Sequence, residues 1–114
     1  MPPPKPQAIY DDFARLDIRI CKVVDVQPFP RARNPSLKVG VDVSADRIMW
    51  SSAQITNTEP AALLGSLVVC VCNLGAKNIA GFTSELLILG AKDAAGNVIV
   101  LGPCSEVAIG EPVF

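Results

Sequence analysis

From Leu16 to Gln27 the chain alternates like a strand. Leu16, Ile18, Ile20, Val24 and Val26 hold even positions, and Asp17, Arg19, Cys21, Asp25 and Gln27 lie between them. A period of two gives one apolar face. The run is about twice as long as a typical strand. Its phase is disturbed at Cys21 and Lys22, where a charge falls on the apolar parity. A β-bulge there is expected to re-phase and bend the strand. A long, bent first strand serves two sheets at once, which points to a small closed barrel.

The remaining pattern agrees. Pro28 to Pro35 reads as a stiff loop carrying Arg31 and Arg33. Leu37, Val39, Val41 and Val43 alternate as a second strand, Ser44-Ala45-Asp46 turns the chain, and Ile48 to Ala53 complete a hairpin. Thr58, Glu59 and Pro60 ahead of Ala61-Ala62-Leu63-Leu64-Gly65 have helix punctuation: a capping hydroxyl, an early acid and proline, and a terminating glycine. Strands follow at Leu67–Cys72, Ser84–Leu89 and Val98–Leu101, with a last short segment at Val107–Ile109. The expected fold is all-β: a five-stranded OB-fold barrel with one short helix between strands three and four and short terminal extensions. Residues 1–9, with four of the ten prolines, read as an extended tail, and 10–114 as a single domain. One or two helical turns are expected over Tyr10–Arg15, anchored by Phe13.

Composition removes several function classes. Histidine is absent, and with it the usual general base, the usual zinc ligand and every imidazole triad. No glycine loop suits a phosphate, and no serine–lysine pair suits nucleophilic catalysis. No catalytic residue, metal or cofactor is assigned, and the chain is not read as an enzyme. Of the four cysteines, Cys70 and Cys72 share one face of an apolar strand, and no pair has Cys-x-x-Cys spacing. They read as reduced core thiols in a cytoplasmic protein. No apolar run is long enough for membrane insertion.

Polar groups gather in two blocks, Trp50-Ser51-Ser52-Ala53-Gln54-Ile55-Thr56 and Lys77-Asn78-Ile79-Ala80-Gly81-Phe82-Thr83-Ser84-Glu85. Ser51, Ser52, Gln54 and Thr56 carry donors and acceptors suited to base edges and ribose hydroxyls, and Trp50 and Phe82 are flat surfaces for stacking. Strand-end capping by the hydroxyls, with Trp50 in the core, fits the same residues. Net charge is −1, yet six of the ten basic residues lie between Arg15 and Lys38, opposed there only by Asp17 and Asp25. This window is either a solvated face or a phosphate-binding stripe on which Arg19 and Lys38 share a face.

In Phe13-Ala14-Arg15-Leu16-Asp17-Ile18-Arg19-Ile20, Ala32-Arg33-Asn34-Pro35, Ser51-Ser52-Ala53-Gln54-Ile55-Thr56 and Ile79-Ala80-Gly81-Phe82-Thr83-Ser84-Glu85-Leu86-Leu87-Ile88-Leu89-Gly90, the chain resembles CsaA-type proteins. These belong to the wider tRNA-binding domain family, also appended to methionyl- and phenylalanyl-tRNA synthetases. The resemblance implies an OB-fold, a homodimer and recognition of folded tRNA without catalysis. For CsaA relatives it also implies a chaperone role in protein export, with unfolded preproteins or the export machinery as partners. Carried over by position, the implied RNA contacts are Arg19, Lys38, Ser51, Ser52, Gln54, Lys77, Asn78, Ser84 and Glu85, with Glu85 accepting from base amino groups. The family tends to have a basic residue where this chain has Trp50. That change adds apolar surface for peptide binding, with Phe29, Trp50 and Phe82 as its contacts. A structural assembly module that does not bind RNA is the alternative.

Overall fold

The computed structural model describes residues 2–44, 46–55 and 58–114. Its elements in chain order are α1 (Tyr10–Ala14), β1 (Ile18–Pro28), β2 (Leu37–Asp42), β3 (Ile48–Ala53), α2 (Pro60–Leu63), β4 (Leu67–Val71), β5 (Lys77–Ile79), β6 (Phe82–Ser84), β7 (Leu87–Ile88), β8 (Gly90–Lys92) and β9 (Val98–Val100). A five-stranded antiparallel sheet runs β3-β2-β1-β4-β7, and two hairpins, β5-β6 and β8-β9, extend from it. The sheet curls until its two ends meet. The Glu85 N–H donates to the Trp50 carbonyl at 2.7 Å, which joins the β6–β7 segment to β3. This is an OB-fold barrel, with α2 in the expected place between β3 and β4.

β1 serves both halves of the barrel. Residues Ile18 to Lys22 pair with β4, and Lys22 to Pro28 pair with β2. The bulge that bends it lies between Val23 and Asp25, slightly beyond the expected position. It re-phases the strand so that Val23 faces Val41 and Val26 faces Val39, all on the core side. No bulge is needed at Lys22, because the even positions of the first half face outward. The core takes Cys21 and Val23, 0% and 1% exposed, from the odd parity. Ile18 and Ile20 are buried as well, on the other face. The free edge of this half is paired by the C-terminal segment: Ile20 N–H donates to Glu111 O at 3.0 Å, and Val113 N–H to Ile18 O at 2.8 Å. Gly110 passes so close to Ser44 that a Cβ would lie 2.4 Å from the serine's, and its φ of +90° is one that glycine tolerates. The expected segment at Val107–Ile109 is therefore replaced by an edge contact slightly later, with an isolated bridge between Arg19 and Pro112.

Other expectations are corrected by local geometry. Ser84 to Leu89 is not one strand, since β6 ends at Ser84 and β7 begins at Leu87. Its predecessor, the β5-β6 hairpin, turns at Ala80 and Gly81, both with positive φ. This is the two-residue turn that suits the strand twist. The N-cap of α2 is Glu59, with no side-chain cap bond, so Thr58 does not cap it. Gly65 does end the helix, at φ +86°. α1 buries none of its residues, and Phe13 is no anchor within the chain. Its ring meets only Tyr10 among the aromatics, at 6.3 Å.

Candidate nucleic-acid interface

Alternation sorts the first polar block. On β3, Met49 and Ser51 point inward and are buried, while Trp50 and Ser52 lie on the outer wall. Ser51 is 2% exposed, so it offers little surface to RNA, although it lines a groove beside Ser52. On the paired strand, Lys38 stands opposite Ser52 and Gly40 opposite Trp50. The indole lies across Gly40, where a Cβ would meet its Cζ2 at 3.0 Å. A methyl there would require the indole to give by a few tenths of an ångström.

The seam between β3 and β6 holds the second block against the first. Glu85 Oε1 accepts the Trp50 N–H at 3.1 Å, and Ser84 Oγ accepts the Ser52 N–H at 3.1 Å. Arg47 lies 3.9 Å from the other Glu85 oxygen. Phe82 stands perpendicular to Trp50, with ring centroids 6.4 Å apart, and meets Phe29 edge-on at 5.3 Å. The Lys38 ammonium sits 5.0 Å from both the Phe29 and Phe82 rings, close enough for a cation–π contact with each.

Two grooves flank this seam. One, of about 340 Å³, is lined by Gln27, Lys38, Trp50, Phe82, Thr83 and Glu85. The other, of about 370 Å³, includes Ser52, Lys77 and Ser84 with the apolar Leu74 and Ile79. So Ser52, Lys77, Ser84 and Glu85 of the two blocks come together with Trp50 and Phe82, and Lys38 joins them from β2. Gln54 is exposed just past the end of β3. Thr56 lies outside the described residues. Asn78 is exposed, but its side-chain oxygen accepts the Gly81 N–H at 3.1 Å and so serves the turn. Phe29 is 5% exposed, packed behind Phe82 and Lys38, so it supports the groove and offers little surface to a peptide.

Arg19 does not join the site. It faces Cys70, at the opposite end of β1 from Gln27, the residue paired with Lys38. That separation is roughly 25 Å of strand. Its guanidinium is engaged by Asp17 at 2.9 Å and by the Val43 carbonyl at 3.2 Å, and the Asp17 bond raises its pKa. The expectation that Arg19 and Lys38 share a face is therefore overturned. Lys22 is exposed beside a different cavity, lined also by Cys104 and Glu106. The basic window is thus no single stripe. Gln27 joins the site unanticipated, as the residue opposite Lys38 on β1, a signal only the register exposes, and Thr83 joins it from within the second block.

Three thiols cluster inside. Cys21 and Cys70 are fully buried in the core, and Cys72 packs against it. Contact with the Cys70 thiol, together with burial, pushes the Cys21 pKa up to about 12, and contact with Cys21 and burial push Cys72 up as well. Thiols held in the protonated form are poor nucleophiles and poor metal ligands. Among the described residues no three cysteine, aspartate or glutamate side chains form a metal cluster. Among the described residues no helix is long and apolar enough to cross a membrane.

The comparisons with known proteins meet at this architecture. A CsaA chaperone from Bacillus anthracis superposes with a TM-score of 0.89 at 37% identity, covering 96% of this chain and 100% of that one. A CsaA chaperone from Picrophilus torridus gives 0.89 at 33% identity, covering 95% and 100%. The methionine–tRNA ligase of Chloroherpeton thalassium is 32% identical over 112 residues, which is 97% of this chain and 16% of the ligase. The chain thus spans about one-sixth of the synthetase it matches. The family model described as "Putative tRNA binding domain" matches residues 18–112. With that match running from the first strand to the C-terminal edge contact, the chain belongs to the tRNA-binding domain family.

Proposed function

We propose that this chain binds folded tRNA on the outer wall at the β3–β6 seam, as a non-catalytic cytoplasmic homodimer. One observation carries the reading. In a chain of the tRNA-binding family, cationic, hydroxyl and aromatic groups from two distant blocks and from β2 meet on adjacent open grooves, around Lys38, Ser52, Lys77, Ser84, Trp50 and Phe82. Lysines supply phosphate contacts, and hydroxyls suit the ribose edge. The dimer is supported by α1, whose Tyr10 and Phe13 are 75% and 40% exposed within one chain. Two modest faces held together raise the effective affinity for one large RNA. The test is tRNA binding across a salt series, with dimerisation followed by sedimentation. Affinity should fall steeply as salt rises. No binding at low salt would overturn the reading.

A second reading is favoured by the half-buried Trp50 and Phe82 and by the likeness to CsaA chaperones. In it the same wall holds unfolded preproteins for export, through an apolar contact with little salt dependence. Competition between tRNA and an unfolded peptide distinguishes one shared wall from two separate ones. Trp50→Ala should weaken suppression of client aggregation more than tRNA binding, and full suppression by that variant removes Trp50 from the peptide contact.

A further inference from the structure

We infer that the groove between Trp50 and Glu85 is a base-specific pocket that takes one unpaired guanine of the bound RNA. The inference rests on the tRNA-binding reading and names the chemistry of that same site. Its first element is a platform. One face of the Trp50 indole is occupied by Gly40, and Phe82 stands perpendicular to it as a side wall. An unpaired base stacks on such a surface whatever its identity.

Selection comes from the polar groups around the platform. A carboxylate offers about four acceptor positions and no donor. The Trp50 N–H takes one of those on Glu85 at 3.1 Å, and Arg47 stands off at 3.9 Å, so acceptor capacity remains on a side chain that lines the groove. Of the four RNA bases, only guanine presents two adjacent donors, N1–H and the 2-amino group, to such a carboxylate. Adenine and cytosine each place a bare ring-nitrogen acceptor beside their amino group, and uracil flanks its one N–H with two carbonyls. All three therefore turn lone pairs toward Glu85.

The opposite need of guanine is a donor for O6 or N7, and the Lys38 ammonium lines the same groove. Lys38 now rests 5.0 Å from each of two aromatic rings, a contact that a carbonyl acceptor can supplement without removing the cation from Phe82. Gln27 adds a side-chain amide able to act either way. Acceptor, platform and cation are thus arranged for a single base.

The chain's one tryptophan is Trp50, so its fluorescence reports the pocket directly. The experiment titrates the full-length protein at low salt with UUGUU, UUAUU, UUCUU, UUUUU and an inosine-centred UUIUU RNA. A parallel titration uses whole tRNA. UUGUU should bind at least ten-fold tighter than the A, C and U oligonucleotides, and UUIUU, lacking the 2-amino donor, should fall between. Glu85→Gln keeps an oxygen for the Trp50 N–H but presents an amide donor beside it, and should remove most of the preference. Equal affinity for all five RNAs, or no binding of any of them, overturns the guanine pocket. If whole tRNA still binds in that case, the tRNA reading survives; if tRNA also fails to bind, both fall. A Trp50 response to an apolar peptide but not to UUGUU likewise overturns the inference and favours the chaperone reading.

Discussion

Glu85 and Trp50 exchange two hydrogen bonds across the barrel seam: the Glu85 N–H donates to the Trp50 carbonyl at 2.7 Å, and the Trp50 N–H donates to the Glu85 carboxylate at 3.1 Å. A side chain here stands in for the backbone carbonyl that an ordinary antiparallel pair would supply. The seam is therefore closed by a residue that also lines the aromatic groove. Structure and recognition share one carboxylate.

Removing that carboxylate should loosen the closure. Glu85→Ala leaves the Trp50 N–H without its partner. Because the Glu85 side chain is 32% exposed, water compensates in part. The expected cost is about 1 kcal/mol, the lower end for an orphaned donor. It should appear as a lower denaturant midpoint with an unchanged slope. Glu85→Gln should cost less than half of that. Equal losses for both variants would mean that the closing bond contributes little.

Gly40→Ala tests the platform. The new methyl would lie 3.0 Å from the indole Cζ2, so the ring must give by a few tenths of an ångström. Overpacking of this kind costs about 1–3 kcal/mol, and the flexible ring should keep it near 1. Emission from the single tryptophan should shift to the red as the indole gains solvent. An unshifted spectrum would show that the ring does not depend on the bare glycine.

The barrel was legible because it rests on periodicity, which a sequence carries openly. β2 and β3 match their alternating runs, and α2 sits where its proline and glycine put it. The phase of the first half of β1 is not legible, since Ile18 and Ile20 look like a core face until the C-terminal segment is known to pair along that edge. No local signal announces a contact between residues some ninety positions apart. The site shows the same split. Ser52, Ser84 and Glu85 stand in the two blocks, but the expectation that Arg19 and Lys38 share a face rests only on the first two strands being neighbours in a meander. Register, which sequence composition does not encode, puts Arg19 beside Cys70 at one end of β1 and Lys38, on β2, beside Gln27 at the other.

The thiols give a pH and reactivity signature. Cys21 has its pKa raised to about 12 by the Cys70 thiol and by burial, and Cys72 is raised too. An unfolded cysteine titrates near pH 8.5. The folded state therefore keeps protons that the unfolded state loses as pH rises. Stability from this source is complete below about pH 8.5 and declines as pH climbs towards 12. Denaturation midpoints measured at pH 7.5 and pH 10 should show the fall, and Cys21→Ala should reduce it. In the native protein at pH 8, only the exposed Cys104 should react rapidly with a thiol reagent, whereas all four thiols should react in denaturant. Rapid native modification of Cys21 or Cys70 would contradict their burial.

Lys38 is where charge and aromatic packing are most closely tied, and reversing it tests the proposed RNA wall. Its ammonium contacts the Phe29 and Phe82 rings at 5.0 Å each. Lys38→Glu forfeits both contacts, at about 0.5–1 kcal/mol each for a partly exposed site. It also turns a carboxylate toward the negative ring faces. The fold should survive, because Val39 and Val41 on the opposite face of β2 keep the core, and far-UV circular dichroism should be unchanged. Binding of tRNA at low salt should fall by at least ten-fold, through loss of one cation and gain of repulsion. Lys38→Met separates the two effects, since it keeps an apolar stem against the rings and deletes only the charge. That variant should bind tRNA with intermediate affinity, and its salt slope should be shallower by about one. If Lys38→Glu retains tRNA as well as the parent does at low salt, the RNA lies elsewhere on the barrel.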